Sequence, residues 1–229
     1  MDLWRHRLGA VPDDVWARTT LERLVLADND LTELSERIGE LRALRMLDLG
    51  HNKLAALPDA IGELASLEFL YLHDNRLAAV PSLAKLSRLR YLNLGDNALT
   101  AMPELGALRE LRLGGNQLTE LPGSIGRLVG LCELHLDRNR LASLPASIGA
   151  LPELRVLSLR DNQLDVLPDT IGALAELRHL DLRGNPLTAL PESIAKLPRL
   201  DKLDLRWVET LPDTPWLADL EARGCLVYL

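Results

Sequence analysis

The feature that most constrains this chain is an eleven-residue frame, L-x-x-L-x-L-x-x-N-x-L, which reads L-R-H-L-D-L-R-G-N-P-L over residues 177–187. The frame starts at Leu21, Leu44, Leu67, Leu89, Leu108, Leu131, Leu154, Leu177 and Leu200, at intervals of 23, 23, 22, 19, 23, 23, 23 and 23 residues. Self-similarity at a period of this length means one supersecondary unit per repeat, and no unit can bury its apolar face alone. Stacking buries the faces in a continuous core, so the chain must form a solenoid in which each coil touches only its neighbours. The 229 residues are therefore expected to make one continuous domain. Residues 1–20 form an N-terminal cap, 21–207 the nine repeats and 208–229 a C-terminal cap.

The alternation x-L-x-L-x inside each frame predicts a short strand with leucines inward and the intervening residues outward. Neighbouring strands then pair in parallel, giving an α/β solenoid with a concave sheet of about nine strands and short helical or extended convex segments. The frame asparagines are Asn29, Asn52, Asn75, Asn97, Asn116, Asn139, Asn162 and Asn185, with Val208 in the ninth frame. Each sits where the chain turns inward, and a buried amide must be hydrogen-bonded, so a ladder through loop backbone of adjacent coils is expected.

After the asparagine most repeats continue L-x-x-L-P-x-x-I-G-x-L, as in residues 164–174. Proline fixes φ and the polar residue after it suits a helix start, which predicts a helical turn on the convex side. Gly39, Gly62, Gly126, Gly149 and Gly172 are expected to permit a tight return to the next strand. The third and fourth repeats are shortened by one and four residues, so the fourth should be nearly extended there. In the caps, residues 11–16 imitate the L-P-x-x-I-G step, and Trp4 and Trp16 are the expected lids. Residues 216–221 read as a final helix and 225–229 as a last strand.

Composition excludes several classes. A net charge of -7 argues against nucleic acid and against an anionic membrane surface. No apolar run approaches the roughly 18 residues of a membrane-spanning helix. The segment MDLWRHRLGA lacks the apolar core of a secretory signal, which leads to the expectation of a cytoplasmic protein. Cys132 and Cys225 fall more than three strand spacings apart, beyond disulfide reach. The excess of arginine over lysine, 22 to 4, hints at a GC-rich bacterial genome.

The repeat L-x-x-L-x-L-x-x-N-x-L-x-x-L-P-x-x-I-G-x-L resembles that of Ras-group intracellular leucine-rich repeat proteins and their bacterial relatives. The resemblance runs from Leu21 to Leu211. It implies a cytoplasmic scaffold that binds another protein through its concave face.

The third, fifth, seventh and eighth positions of each frame should face outward, 36 residues in all. Under a sixth of the chain, they hold four of its eight aromatics and four of its five histidines, where a uniform spread would place about two of the thirteen. Clustered aromatics are the usual anchors of interfaces. The centre falls on Met46, Phe69, Tyr91 and Tyr71, with Asp48, His51, His73, Asp74, Asn93 and Asp96 around them, and Gly50, Gly95, Gly114 and Gly115 giving room. Arg112 and His135 extend the face. Arg160, Arg183 and Arg206 form a stripe beside Arg138, balanced by aspartates in a solvated lattice or open to a partner's carboxylate or phosphate.

The alternative is a small-molecule site or enzyme in which His73 or His135 works with Tyr71, Tyr91 or Asp48 as acid and base. His73 and His135 are three frames apart, about 14 Å at strand spacing, too far to share a proton. No nucleophile elbow, phosphate loop or metal-ligand motif accompanies them. The expected partner is thus another protein, with no cofactor, no metal ion, and a monomeric chain.

Overall fold

The computed structural model describes residues 1–212 and 214–229. Its contacts divide the chain into two compact units, Met1–Arg112 and Leu113–Leu229. In the first unit, strands β1 (Arg23–Val25), β2 (Met46–Asp48), β3 (Phe69–Tyr71), β4 (Tyr91–Asn93) and β5 (Glu110–Arg112) pair in parallel in chain order. In the second, β6 (Glu133–His135), β7 (Val156–Ser158), β8 (His179–Asp181), β9 (Lys202–Asp204) and β10 (Leu226–Tyr228) do the same. The nine frame strands occupy the third to fifth frame positions, where the alternation places them. The tenth is the strand expected of the C-terminal cap, which follows helix α1 (Leu217–Ala222).

Frame leucines fill the core of each unit. Leu24, Leu47, Leu70, Leu92 and Leu111 of the first, and Leu134, Leu157 and Leu203 of the second, are wholly buried. Each such side chain contributes about 1.5–3 kcal/mol relative to exposure. This periodic burial holds strands of only three residues in place.

On the other side of most coils lies a five-residue 3₁₀ turn, a tighter form than an α-helix, begun by proline except at the first, where the Ser35 side chain caps it. These turns are Glu36–Glu40 and Asp59–Glu63 in the first unit, and Gly123–Arg127, Ala146–Ala150, Asp169–Ala173 and Glu192–Lys196 in the second. Pro58 precedes its turn at φ -67° and ψ 147°, extended backbone that feeds the first turn. The third and fourth repeats both lack the turn, and Leu83 and Leu105 join instead by an isolated parallel bridge. A 3₁₀ turn rises about 2.0 Å per residue and a strand about 3.3 Å, so a shortened segment must extend to cover the same path. The deletion of one residue already suffices.

The turn glycines serve a different purpose from the one expected. None of Gly39, Gly62, Gly126, Gly149 and Gly172 has a positive φ. A side-chain carbon on Gly126 would lie 2.7 Å from the Ser147 carbonyl oxygen, and one on Gly62 would lie 2.8 Å from that of Ser82. Close stacking of successive turns, not chain reversal, excludes a side chain. Gly149→Ala, which would press on the Thr170 backbone, should therefore lower stability by about 1–3 kcal/mol. Gly123→Ala, with open space around it, should raise it by about 0.4–1 kcal/mol. Urea titration of the two variants checks the opposite signs.

The asparagine ladder forms as expected. The Asn52 side-chain amide donates to Leu26 O of the preceding coil and to Leu49 O and Gly50 O of its own, at 2.9–3.1 Å. Its Oδ1 accepts from the backbone N–H groups of Asn29 and Leu31. Asn139, Asn162 and Asn185 repeat the arrangement in the second unit. At the N-terminus, main chain substitutes for a preceding coil. Asp2 bridges to Val25, Leu3 N–H donates to Val25 O, and the Asn29 amide and Oδ1 bond Leu3 O and His6 N–H.

Trp16 is the lid of this end, 2% exposed, and Val15 beside it is wholly buried. Trp4, expected as a second lid, is instead 52% exposed and lies 4.7 Å beneath the Arg5 guanidinium. Side chains alternate along an extended segment, and the pairing at Asp2 and Leu3 turns Trp4 away from the core.

Candidate interaction face

In the first unit the strand register sets Met46, Phe69 and Tyr91 side by side, and Asp48, Tyr71 and Asn93 beside them. The Tyr71 and Tyr91 rings lie 4.9 Å apart at a 38° tilt, within the range of favourable aromatic pairs. Phe69 is exposed, while Met46, Tyr71 and Tyr91 are half-buried. Burial pushes both phenols above the usual tyrosine range, aided at Tyr71 by the charges of Asp48 and Glu110. Both rings are therefore neutral hydrogen-bonding groups near pH 7, poor candidates for a base.

Several polar neighbours serve the fold. Asp48 and Asn93 each accept, at 3.0 Å, the backbone N–H two residues on, and so close their own turns. Arg112 donates to Glu110 at 2.6 Å. Val25, also expected on the open face, is buried where the N-terminal segment pairs with it.

The eighth frame position is a correction. Asp28, His51, Asp74, Asp96, Gly115, Arg138, Asp161, Gly184 and Trp207 all have φ between 52° and 68°. Aspartate, histidine and glycine are the residues that tolerate this left-handed conformation, so backbone geometry accounts for most of the column. The acidity that Asp74 and Asp96 lend the face follows from the turn. Arg138 and Trp207 are the residues ill-suited to it. Arg138→Asn should stabilise the chain by up to about 1 kcal/mol and raise Tm by about 2–4 °C, which calorimetry would register.

Behind the aromatic patch, His51 Nδ1 lies 2.7 Å from Asp74 Oδ2, and His51 Nε2 lies 3.2 Å from His73 Nε2. The rings meet edge to face with centroids 4.6 Å apart. The His73 ring packs where a side chain at residue 50 would otherwise be, 2.5 Å from the place of that carbon. Its Nδ1 is buried with no hydrogen-bond partner among the described residues. Burial and the neighbouring His51 lower its pKa against the pull of Asp48, Asp74 and Asp96.

In the second unit the arginine stripe is compensated, and part of it is buried rather than solvated. Arg160 bonds Asp161 at 2.9 Å, Arg183 bonds Asp181 at 2.6 Å, and Arg206 bonds Asp204 at 2.8 Å. The Asp204 side chain is 1% exposed. Burial would raise its pKa, but the Arg206 hydrogen bond and the Arg183 charge outweigh that and hold it below the usual carboxylate range. The guanidinium carbons of Arg160, Arg183 and Arg206 lie 5.5–5.8 Å from the Trp207 ring, within cation–π reach.

Trp207, 61% exposed, belongs with the candidate residues although its column position alone did not single it out. The available signal was an aromatic at a position otherwise held by turn formers. Trp207 is exposed, has a positive φ, lies on the turn after β9 and is within cation–π reach of three arginines. His135 lies 3.1 Å from Glu133 and borders a hollow of about 240 Å³ with Val156, Ser158, His179, Asp181 and Lys202.

The family model of a leucine-rich repeat region matches residues 12–113, and leucine-rich repeat models match residues 107–128, 130–187 and 152–207. No curated protein matches the chain. Among solved structures, a Leptospira interrogans LRR protein, LIC12759, is 29% identical with a TM-score of 0.88 over 99% of this chain and 64% of its own. The LRR ectodomain of the Arabidopsis thaliana membrane receptor kinase GASSHO1/SCHENGEN3, solved in complex with CASPARIAN STRIP INTEGRITY FACTOR 2, is 31% identical, with a TM-score of 0.80 over 96% of this chain and 28% of its own. The PEPR1–AtPEP1 structure is 26% identical, with a TM-score of 0.81 over 96% and 36%. The chain thus spans less than two thirds of each of these neighbours. The repeated frame, the parallel strands it places, the asparagine ladder and these likenesses agree: the chain is a leucine-rich repeat protein.

Proposed function

We propose that this chain is a protein-binding scaffold of the Ras-group or bacterial L-P-x-x-I-G-x-L type, working in the cytoplasm as a monomer. Its partner sits on the first unit's sheet over Phe69, Tyr71 and Tyr91, and Met46 extends the contact. The observation that carries this reading is an aromatic group in register on adjacent strands, an exposed Phe69 beside the half-buried, paired rings of Tyr71 and Tyr91. An unoccupied sheet face gains only about 0.2–1 kcal/mol per cross-strand pair from such residues, whereas rigid aromatics with few rotors make efficient anchors.

Two of the structural neighbours support the reading, since GASSHO1/SCHENGEN3 was solved in complex with CASPARIAN STRIP INTEGRITY FACTOR 2 and PEPR1 together with AtPEP1. The test is affinity capture from the source cell with wild type and with Phe69→Ala/Tyr71→Ala/Tyr91→Ala. A protein held by the first and lost by the folded second is the expected outcome. Equal capture by both would overturn the assignment of the face.

A further inference from the structure

We propose that His51 and His73 form a binding site for a divalent first-row transition cation, with Zn²⁺ as the probe ion. The two Nε2 atoms lie 3.2 Å apart on adjacent coils. An ion bound to both at the usual Zn–N length of about 2.0–2.1 Å would see them at an angle of about 100–105°, close to tetrahedral. This separation suits two ligands of one ion.

The surroundings fit that role. Asp74 accepts from Nδ1 of His51 at 2.7 Å, which fixes the ring and leaves the Nε2 lone pair facing His73. A carboxylate behind a ligating imidazole is the usual outer shell of a histidine metal site, and it raises the basicity of the ligand. The missing side chain at Gly50 gives the His73 ring its place. Water completes the coordination, because Asp74 is engaged behind His51.

The backbone explains a histidine at position 51, since its φ of 54° suits histidine. It does not explain His73, which stands at the seventh position, where other coils carry alanine, glycine, aspartate or arginine. The site has one cost. With Nε2 on the metal, the His73 proton sits on Nδ1, which has no partner among the described residues. A buried donor left unsatisfied is unfavourable, which places the affinity in a modest range rather than that of a structural zinc site. The inference stands apart from the partner-binding reading, because it rests on the histidine pair alone.

Calorimetric titration of Zn²⁺ into the full chain at pH 7.5 should show one saturable equivalent. The variant His51→Ala/His73→Ala should lose it, and His179→Ala, on β8, should keep it. Asp74→Asn should weaken it by about 10- to 100-fold. Binding unchanged in the double variant would overturn the proposal, as would no saturable binding to wild type. Should a variant not unfold cooperatively, imidazole NMR of the wild-type chain decides. Zn²⁺ must shift the signals of His51 and His73 together and leave His179 in place, and any other pattern overturns the site.

Discussion

Asn139→Ala is expected to lower stability by about 3–5 kcal/mol and Tm by on the order of 10 °C. The side chain donates to Leu113 O, Leu136 O and Asp137 O at 2.9–3.3 Å, and its Oδ1 accepts from Leu118 N–H at 3.0 Å. Alanine removes every one of these partners at a residue only 7% exposed. The Leu118 N–H loses its partner, which forfeits about 1–3 kcal/mol, and the carbonyls of Leu113, Leu136 and Asp137, each keeping one other donor, lose a bond of about 0.5–1.5 kcal/mol apiece. Asn139→Asp should be no better, because a carboxylate cannot donate to the carbonyls. Asn75→Ala is the internal comparison. The same bonds form there, but Asn75 is partly exposed and water can replace some of them, so roughly half the loss is expected. Equal losses at the two positions, in urea unfolding, would show that burial does not set the strength of the ladder.

The second large effect is on binding. Phe69→Ala/Tyr71→Ala/Tyr91→Ala should weaken the captured partner by at least about 100-fold, since truncating a central aromatic anchor typically costs about 2 kcal/mol or more. Its effect on the fold should be far smaller. These side chains stand on the sheet surface, and cross-strand pairs contribute only about 0.2–1 kcal/mol each, so a total of at most about 2 kcal/mol is expected. The wholly buried leucines between them, Leu70 and Leu92, are untouched. Titration of the purified partner, together with thermal unfolding of the variant, separates the two effects. Loss of cooperative unfolding would assign the aromatics to the fold instead.

The sequence exposed the repeats far more fully than the site. Leucine spacing fixes the strand, the asparagine and the proline step, because each of those roles admits few residue types and recurs in every coil. Even β10 and α1 were legible, from an apolar β-prone tail and a short amphipathic segment before it. Trp4 was misread because two tryptophans near one end look equivalent until main-chain pairing settles which one turns inward. The turn glycines were misread because a glycine needed for flexibility and one needed for closeness are the same letter; only the neighbouring coil tells them apart.

On the face, column composition conflated two causes. Asp74 and Asp96 satisfy a left-handed turn, while Phe69, Tyr71 and Tyr91 have no such excuse, and only φ distinguishes them. The compensation of Arg183 and Arg206 by Asp181 and Asp204 was foreseeable from charge balance, but the burial of Asp204 was not. Histidines 51 and 73 are 22 residues apart in the chain, and their facing nitrogens follow from side-chain rotation that no spacing rule specifies.

The ladder also has a direction. Asn52, Asn75, Asn97, Asn139, Asn162 and Asn185 reach back, donating to a carbonyl of the coil before and accepting that coil's leucine N–H, as Asn52 does with Leu26 and Leu31 and Asn162 with Leu136 and Leu141. A coil is therefore fastened in part by the repeat that follows, about 23 residues later. Since the N-terminus is synthesised first, each of these coils should gain that clasp only when the next repeat is delivered.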